Sequence, residues 1–226
     1  LFDEIIFKNN GQLYHALLFL LGFCLFLTIG PSLDLYVANF FYLGSSQFFL
    51  QSYDILSILF REIFLPTILI YMLVLPILNK YIKIEKIFFG YKFLIKEIIL
   101  IWFSLLFSVV VFVNLILKNL WGRARPGDIL ELGGKENFTP WYTLSKSCET
   151  NCSFVSGDAS VGFAVVILYL ITKKKFFLYL SLVFGFILGF IRILAGGHFL
   201  SDVVFSGVII IVLNIIIFEV YKKYYE

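Results

Sequence analysis

The chain has 226 residues, of which 61% are hydrophobic, and its formal net charge at pH 7 is +3. A soluble domain is closer to half apolar, so this composition excludes an ordinary soluble protein and predicts a polytopic membrane protein. A net charge this small does not indicate a nucleic-acid partner.

Six apolar runs are long enough to cross a bilayer, which requires about 20 residues each. We therefore predict an all-α fold, a six-span transmembrane helical bundle that forms one domain over residues 1–226. The first run lacks a small-residue cleavage pattern and is predicted to be a retained span. The runs lie at about residues 13–30, 63–79, 97–117, 154–172, 176–194 and 203–219.

The boundaries of the second run are not sharply defined, because Arg61-Glu62 precede it and Pro66 and Pro76 lie within it. A proline inside a helix removes a hydrogen bond, so we predict a kink. The connection before this run is rich in aromatic residues, which favours a loop with an amphipathic segment in the membrane interface.

Lysines are concentrated in alternate connections and near both ends of the chain, which predicts cytoplasmic termini under the positive-inside rule. The connections at about 31–62, 118–153 and 195–202 are then predicted to face the periplasm. Several cations lie on that side against the rule, and an anionic ligand explains them better than topology does. They are Lys118, Arg123, Arg125, Lys135 and Arg192.

Two cysteines, Cys148 and Cys152, flank three residues in the longest outer connection. An oxidising compartment favours a disulfide between them, which would pin this connection just before the fourth span. The spacing also allows metal ligation, but no second pair or nearby histidine completes such a site.

The first polar cluster, Lys118 to Pro126, lies at the outer end of the third span. Arginine offers forked donors that match phosphate oxygens and lysine a compact charge, so Lys118 and Arg125 are predicted to bind phosphate. Arg123 is a further candidate for the same role. The alternative is that these side chains only extend from a helix end toward the membrane interface.

The second cluster, Ser156-Gly157-Asp158, begins the fourth span. Free backbone N–H groups at a helix N-terminus bind anions, and a glycine lets an anion approach the backbone closely. Helix capping by Ser156 and a stabilising acid in the first turn are the simpler interpretation of the same residues.

The third cluster, Arg192 to Asp202, contains Gly196-Gly197 and His198. One helix can end at the glycines and another can begin near Ser201. If this stretch is helical, His198 and Asp202 share a face, and the carboxylate can hold one imidazole nitrogen while the other acts as a nucleophile or base. The alternative is a helix end with a local His–Asp hydrogen bond. All three clusters are predicted on the outer side, so one site can contain them.

These residues resemble the three motifs of the type 2 phosphatidic acid phosphatase superfamily, which includes vanadium haloperoxidases. Lys118, Arg125 and Pro126 are similar to its Lys-x6-Arg-Pro motif, and Ser156-Gly157 to the core of its Pro-Ser-Gly-His motif. The Ser-Arg-x5-His-x3-Asp motif corresponds to Arg192, His198 and Asp202.

The resemblance implies a metal-independent lipid phosphatase with no cofactor, no implied protein partner, and phosphate or vanadate as a ligand of the site. His198 would form a phosphohistidine and Asp202 would orient and charge its ring. The phosphoryl oxygens would be bound by Lys118, Arg125, Arg192, Ser156 and Gly157. Phosphoryl transfer depends chiefly on such positioning and charge neutralisation.

Three positions depart from the motifs: Val155 replaces the family proline, Ile191 the family serine, and Asp158 the histidine that protonates the leaving group. Three interpretations of Asp158 remain open. It is an acid that holds a proton only beside bound substrate, or the leaving group needs no acid, or the chain is an inactive variant.

The sequence around Asp158 and His198 is most similar to that of bacterial lipid A phosphatases of the 4′-phosphatase type. This resemblance implies a Gram-negative host and lipid A as substrate, with the phosphate removed from the 4′ or 1 position. Undecaprenyl pyrophosphate and phosphatidylglycerophosphate are alternative substrates. An anionic-lipid binder or transporter without hydrolysis, and a vanadate-dependent oxidase, are alternatives from other classes.

Overall fold

A computed structural model describes residues 31–50, 54–82 and 90–225. The first predicted span, 13–30, lies outside these residues. Within them, four helices are long and apolar enough to cross a membrane, and Gly157–Thr172 is a shorter apolar helix. The chain is thus an α-helical membrane protein, as its composition and apolar runs predicted.

The described residues form six helices, one short hairpin and two short 3₁₀ turns, joined by loops. Helix α1 is Pro31–Phe40, and the antiparallel hairpin pairs β1, Tyr42–Gly44, with β2, Gln47–Phe48. Helix α2 comprises Ile55–Ile58, a π-helical segment Leu59–Phe64, and Leu65–Ile82. Helix α3 comprises Ile95–Ser104, a π-helical segment Leu105–Leu117, and Lys118–Trp121.

Two short 3₁₀ turns, Pro126–Asp128 and Leu130–Leu132, follow α3. Helix α4 consists of Gly157–Ala164 and Val166–Thr172, α5 is Lys175–Leu194, and α6 is Leu200–Tyr225. Gly122, with φ 59°, ends α3 in the left-handed conformation. A Cβ there would lie 2.0 Å from the Ser145 carbonyl oxygen, so only glycine fits this turn.

The predicted limits of the second span were wrong, because α2 begins at Ile55 and not near residue 63. Arg61 and Glu62 therefore lie within the helix and not in a loop. Charges are costly at membrane depth, so these two residues indicate the end of a membrane span. In the structure, however, Arg61 pairs with Asp158. The predicted 31–62 connection also contains α1 and the hairpin.

Helix α4 lies at the centre of the bundle, and all its residues except Asp158 and Tyr169 are buried. It packs closely on α5, since a Cβ on Gly162 would lie 2.5 Å from the backbone nitrogen of Gly185. Small residues allow membrane helices to approach in this way. The start of α4 is therefore held firmly at one end of the bundle.

Candidate active site

The three sequence clusters converge at the end of the bundle where α4 and α6 begin. Lys118, in the last turn of α3, interacts electrostatically with a group from each of the other segments. Ser156 donates its backbone N–H to the Asp202 carbonyl oxygen at 3.2 Å. The other groups that interact with Lys118 are Arg125, Asp158, Arg192 and Asp202.

His198 lies in the turn between α5 and α6 and is buried. Its Nδ1 is 2.7 Å from the Ser153 carbonyl oxygen. A carbonyl can only accept, so the hydrogen bond assigns the proton to Nδ1 and leaves a lone pair on Nε2. Burial lowers the pKa of His198 from 6.5 to about 4, so the ring is neutral at pH 7 and can act as a nucleophile.

Asp202 does not hold the imidazole directly, as its spacing from His198 had suggested. Its Oδ2 is 3.8 Å from Nδ1, beyond hydrogen-bond distance. Instead, Oδ2 accepts from the Ser153 hydroxyl and from the Phe199 backbone N–H at 2.8 Å. Asp202 is therefore linked to His198 through Ser153, whose carbonyl oxygen contacts Nδ1, and through the adjacent Phe199.

The structure contradicts the candidate role of Arg123 as a phosphate ligand, because the Arg123 side chain has no exposed surface. It donates to Asp202 Oδ1 at 2.6 Å and to Asp34 Oδ2 at 2.8 Å. It also donates to the Ser201 hydroxyl and to the Thr139 carbonyl oxygen. These bonds make Arg123 a structural support for Asp202.

Asp34, on α1, is a buried acid that the sequence did not reveal. Its Oδ1 accepts the backbone N–H of Ser201, the second residue of α6, and its Oδ2 accepts the Ser201 hydroxyl. A carboxylate at this position caps the helix and complements its dipole. It comes from a segment 167 residues away, so no local spacing could have indicated it.

Lys118 and Arg125 share one partner, Asn151. The Lys118 ammonium donates to the Asn151 side-chain oxygen at 3.1 Å, and Arg125 donates twice to the Asn151 carbonyl oxygen. Cys148 and Cys152 form a disulfide around this residue, as predicted. The disulfide therefore holds the partner of two predicted phosphate ligands in place.

Arg192 and Asp158 form an ion pair, with 3.3 Å between Arg192 Nε and Asp158 Oδ2. The guanidinium packs over Gly197, where a Cβ would lie 2.4 Å from an Arg192 nitrogen. Arg61 of α2 is a second cation on Asp158, at 3.8 Å. In the sequence, the charge of Arg61 indicates only the edge of a span, so local spacing does not reveal its contact with Asp158.

Ser156 and Gly157 form the N-terminus of α4. The Ser156 hydroxyl caps the helix by accepting the Ala159 N–H at 3.4 Å. A Cβ on Gly157 would lie 2.7 Å from the Asn114 side-chain oxygen and 3.4 Å from the Lys118 ammonium, so the bare backbone is needed there. An anion beside Lys118 would thus face a helix N-terminus.

Comparison with known proteins places these residues in a family. A model described as the PAP2 superfamily matches residues 98–226. The chain is 34% identical over 206 residues to a lipid A 4′-phosphatase of Francisella tularensis subsp. novicida, covering 88% of this chain and 91% of that protein. No solved structure matches the chain.

Two shorter matches involve rhizobial proteins, both named lipid A 4′-phosphatase. The Rhizobium etli protein is 37% identical over 103 residues, which is 44% of this chain and 40% of that protein. The Rhizobium leguminosarum protein is 36% identical over 104 residues, or 45% of each chain.

The apolar helices and the convergent cation cluster define the class of a membrane lipid phosphatase. The family match and the relative aligned over most of its length establish that the chain belongs to the PAP2 superfamily. The resemblance drawn from the three motifs is thereby confirmed.

Proposed function

We propose that this protein hydrolyses a phosphate monoester of lipid A, at the 4′ or 1 position. The observation that carries the proposal is the similarity to a lipid A 4′-phosphatase over 88% of the chain, together with the neutral, oriented His198 near Lys118 and Arg192. The names of all three relatives favour the 4′ phosphate.

In the proposed mechanism, Nε2 of His198 attacks phosphorus and the bond from phosphorus to the lipid oxygen breaks. Lys118, Arg125 and Arg192 bind the phosphoryl oxygens, with the N-terminus of α4 at Ser156-Gly157. These groups neutralise charge that spreads over the oxygens in the transition state. Water then attacks the phosphohistidine, releases phosphate and restores the neutral ring.

The Nδ1–H bond to the Ser153 carbonyl supports this assignment, because it points the unprotonated nitrogen away from the backbone. When phosphorus bonds to Nε2 the ring becomes cationic. The carboxylate of Asp202, 3.8 Å from Nδ1, stabilises that charge. Arg123 and Asp34 act only by positioning Asp202.

Asp158 is assigned the role of the proton donor to the leaving oxygen. It is the partly exposed acid among the cations of the site and occupies the motif position of the family histidine. A phosphate that takes over Arg192 would release Asp158 from its ion pair with that residue. If the leaving group departs without an acid, turnover should not depend on Asp158. If the chain is an inactive variant, the wild type should release no phosphate.

We place the site on the periplasmic side of the inner membrane, with the termini in the cytoplasm. The support is the distribution of lysines among the connections, such as Lys173-Lys174-Lys175 between α4 and α5, at the end of α4 away from the site. Lipid A presents its phosphates at the membrane surface, where a site at the end of the bundle can reach them.

Phosphate release by detergent-purified protein in excess EDTA tests the proposal. Lipid A, undecaprenyl pyrophosphate and phosphatidylglycerophosphate are supplied in parallel, and products are identified by mass spectrometry with fragmentation to locate the lost phosphate. We expect lipid A to lose one phosphate and His198→Ala to release none. Preference for another lipid would contradict the lipid A assignment, and release from neither protein would favour a binder.

The phosphohistidine requires a separate measurement. Rapid acid-free quenching of the protein with radiolabelled substrate should trap a base-stable, acid-labile phosphoprotein. The label should be absent from His198→Ala and present in a control that changes the exposed Lys146 to Gln. A wild-type protein that turns over substrate without trapping label at any quench time would contradict the covalent step.

A further inference from the structure

Arg61 is a cation of the site that lies outside the motifs. It is on the π-helical segment Leu59–Phe64 of α2, before residues 98–226 that match the family. Its side chain is 45% exposed. A charged side chain in a membrane-spanning helix is costly unless it faces a wet cavity or a partner, so its presence here indicates a use.

One carboxylate oxygen of Asp158 lies near both Arg61 and Arg192. Oδ2 of Asp158 lies 3.3 Å from Nε of Arg192 and 3.8 Å from Nε of Arg61. Arg61 also interacts electrostatically with both Arg192 and Arg125. One oxygen of a small anion can therefore reach the two guanidinium groups that Asp158 now bridges.

The charges of the site do not balance in this arrangement. Four cations, Lys118, Arg125, Arg192 and Arg61, face one another, whereas Asp202 is already bonded to Arg123. Among the described residues, that leaves two carboxylates, Asp158 and Asp128, to face these four cations, and Asp128 interacts with Arg125. A phosphate dianion would supply the charge that the cluster lacks.

The contacts to Asp158 are also incomplete as hydrogen bonds. Within the part of the chain that the structure describes, Arg192 Nε is buried and has no hydrogen-bond partner, although Asp158 lies near it. A buried donor without a partner is energetically costly, and an incoming acceptor removes that cost. A phosphoryl oxygen placed between Arg192 and Arg61 provides that acceptor.

We propose that Arg61 is a further phosphate-binding residue, supplied by α2, and that Asp158 holds Arg61 and Arg192 until the phosphoryl group of the substrate replaces it. This inference rests on the proposed phosphatase function. Asn151 would hold Lys118 and Arg125 in the same way, since its side-chain oxygen accepts from Lys118 and its carbonyl oxygen accepts from Arg125.

Binding of inorganic phosphate tests Arg61 without requiring turnover. The Kd is measured by calorimetry in detergent for the wild type, Arg61→Gln, Arg61→Lys and Lys146→Gln, which removes an equal charge from an exposed loop position. Because Arg61 is partly exposed, we expect Arg61→Gln to weaken phosphate binding about fivefold. Arg61→Lys should lose less, and Lys146→Gln should match the wild type.

Kinetics on lipid A separate binding from folding. Arg61→Gln should raise KM by a similar factor and change kcat less than twofold, while its unfolding temperature stays at the wild-type value. A variant whose phosphate Kd and KM equal those of the wild type would overturn the inference.

Asp158→Asn provides a test of opposite sign. If Asp158 competes with phosphate for the two arginines, its neutral isostere should bind inorganic phosphate more tightly, by about threefold. The gain should shrink when Arg61→Gln is also present, since the two residues interact. Weaker binding by Asp158→Asn would contradict the exchange.

These outcomes remain distinct from those of the proposed function. If the wild type cleaves a lipid phosphate and Arg61→Gln behaves normally, the inference fails and the phosphatase stands. If no lipid is cleaved but Arg61→Gln loses phosphate binding, Arg61 belongs to an anion site and the phosphatase proposal fails.

Discussion

Two arginine–carboxylate clusters near His198 differ in the exposure of their side chains and in their contact distances. The closed cluster consists of Asp34, Arg123 and Asp202, with contacts of 2.6–2.8 Å and side chains at most 6% exposed. The open cluster consists of Arg61, Asp158 and Arg192, with contacts of 3.3–3.8 Å and side chains 11–45% exposed.

The difference indicates what each cluster can do. In the closed cluster, Arg123 donates to two carboxylates, a hydroxyl and a carbonyl, and its side chain has no exposed surface. Buried charges persist only when they are fully paired in this way. The open cluster retains unused donors, so its cations can exchange one anion for another.

The closed cluster is expected to control folding. Arg123→Met leaves Asp34 and Asp202 buried without a counter-charge, and should lower the free energy of unfolding by about 3–5 kcal/mol with loss of activity. Thermal unfolding in detergent, with size-exclusion chromatography, measures this effect. Arg123→Lys keeps the charge but not the forked donors, so its free energy of unfolding should lie between those of Arg123→Met and the wild type. An Arg123→Met protein as stable as the wild type would contradict the structural role.

The open cluster is expected to control turnover with little effect on folding. Asp158→Asn should lower kcat for the monoester about 100-fold, because a general acid contributes a factor of about 10²–10⁴. Its unfolding temperature should stay near the wild-type value. Unchanged turnover would remove Asp158 from the acid role, and a large loss of stability would remove the contrast between the clusters.

The buried His198 should make the stability of the protein depend on pH. The unfolded histidine binds a proton below about pH 6.5, whereas the buried ring stays neutral until about pH 4. The free energy of unfolding should therefore fall as pH is lowered through this window, by about 1 kcal/mol per pH unit, with no contribution from this group above pH 6.5.

His198→Gln isolates that contribution, because the carboxylates titrate in both proteins. Unfolding measured at pH 7 and pH 5.5 should show a smaller loss for the variant than for the wild type. Parallel losses in the two proteins would show that the burial of His198 is not coupled to protonation.

The smallest effect is expected at the disulfide, which encloses Asn151, the partner of Lys118 and Arg125. Reduction frees the short loop that presents Asn151 to Lys118 and Arg125, and should raise KM about threefold through weaker positioning. KM is compared with and without reductant, and the Cys148→Ser/Cys152→Ser protein should not respond to reductant. A wild-type KM in the double variant would make the disulfide irrelevant to the site.

The sequence by itself determined the membrane class, the apolar runs and the motif residues, because each depends on local composition or short spacing. Lys118, Arg125, Arg192 and His198 could be singled out since a cation or histidine beside an apolar run is costly without a use. The Cys148–Cys152 pairing followed in the same way from spacing and compartment.

Only the tertiary structure decided how the charges divide between support and binding. Arg123 and Arg125 are two residues apart and chemically alike, yet one is sealed against Asp34 and the other faces the site. Asp34 and Arg61 come from segments distant in sequence, and their roles depend on which side chain meets them across the bundle. Burial and pairing set the role of a charge in a protein, and neither property is local to the chain.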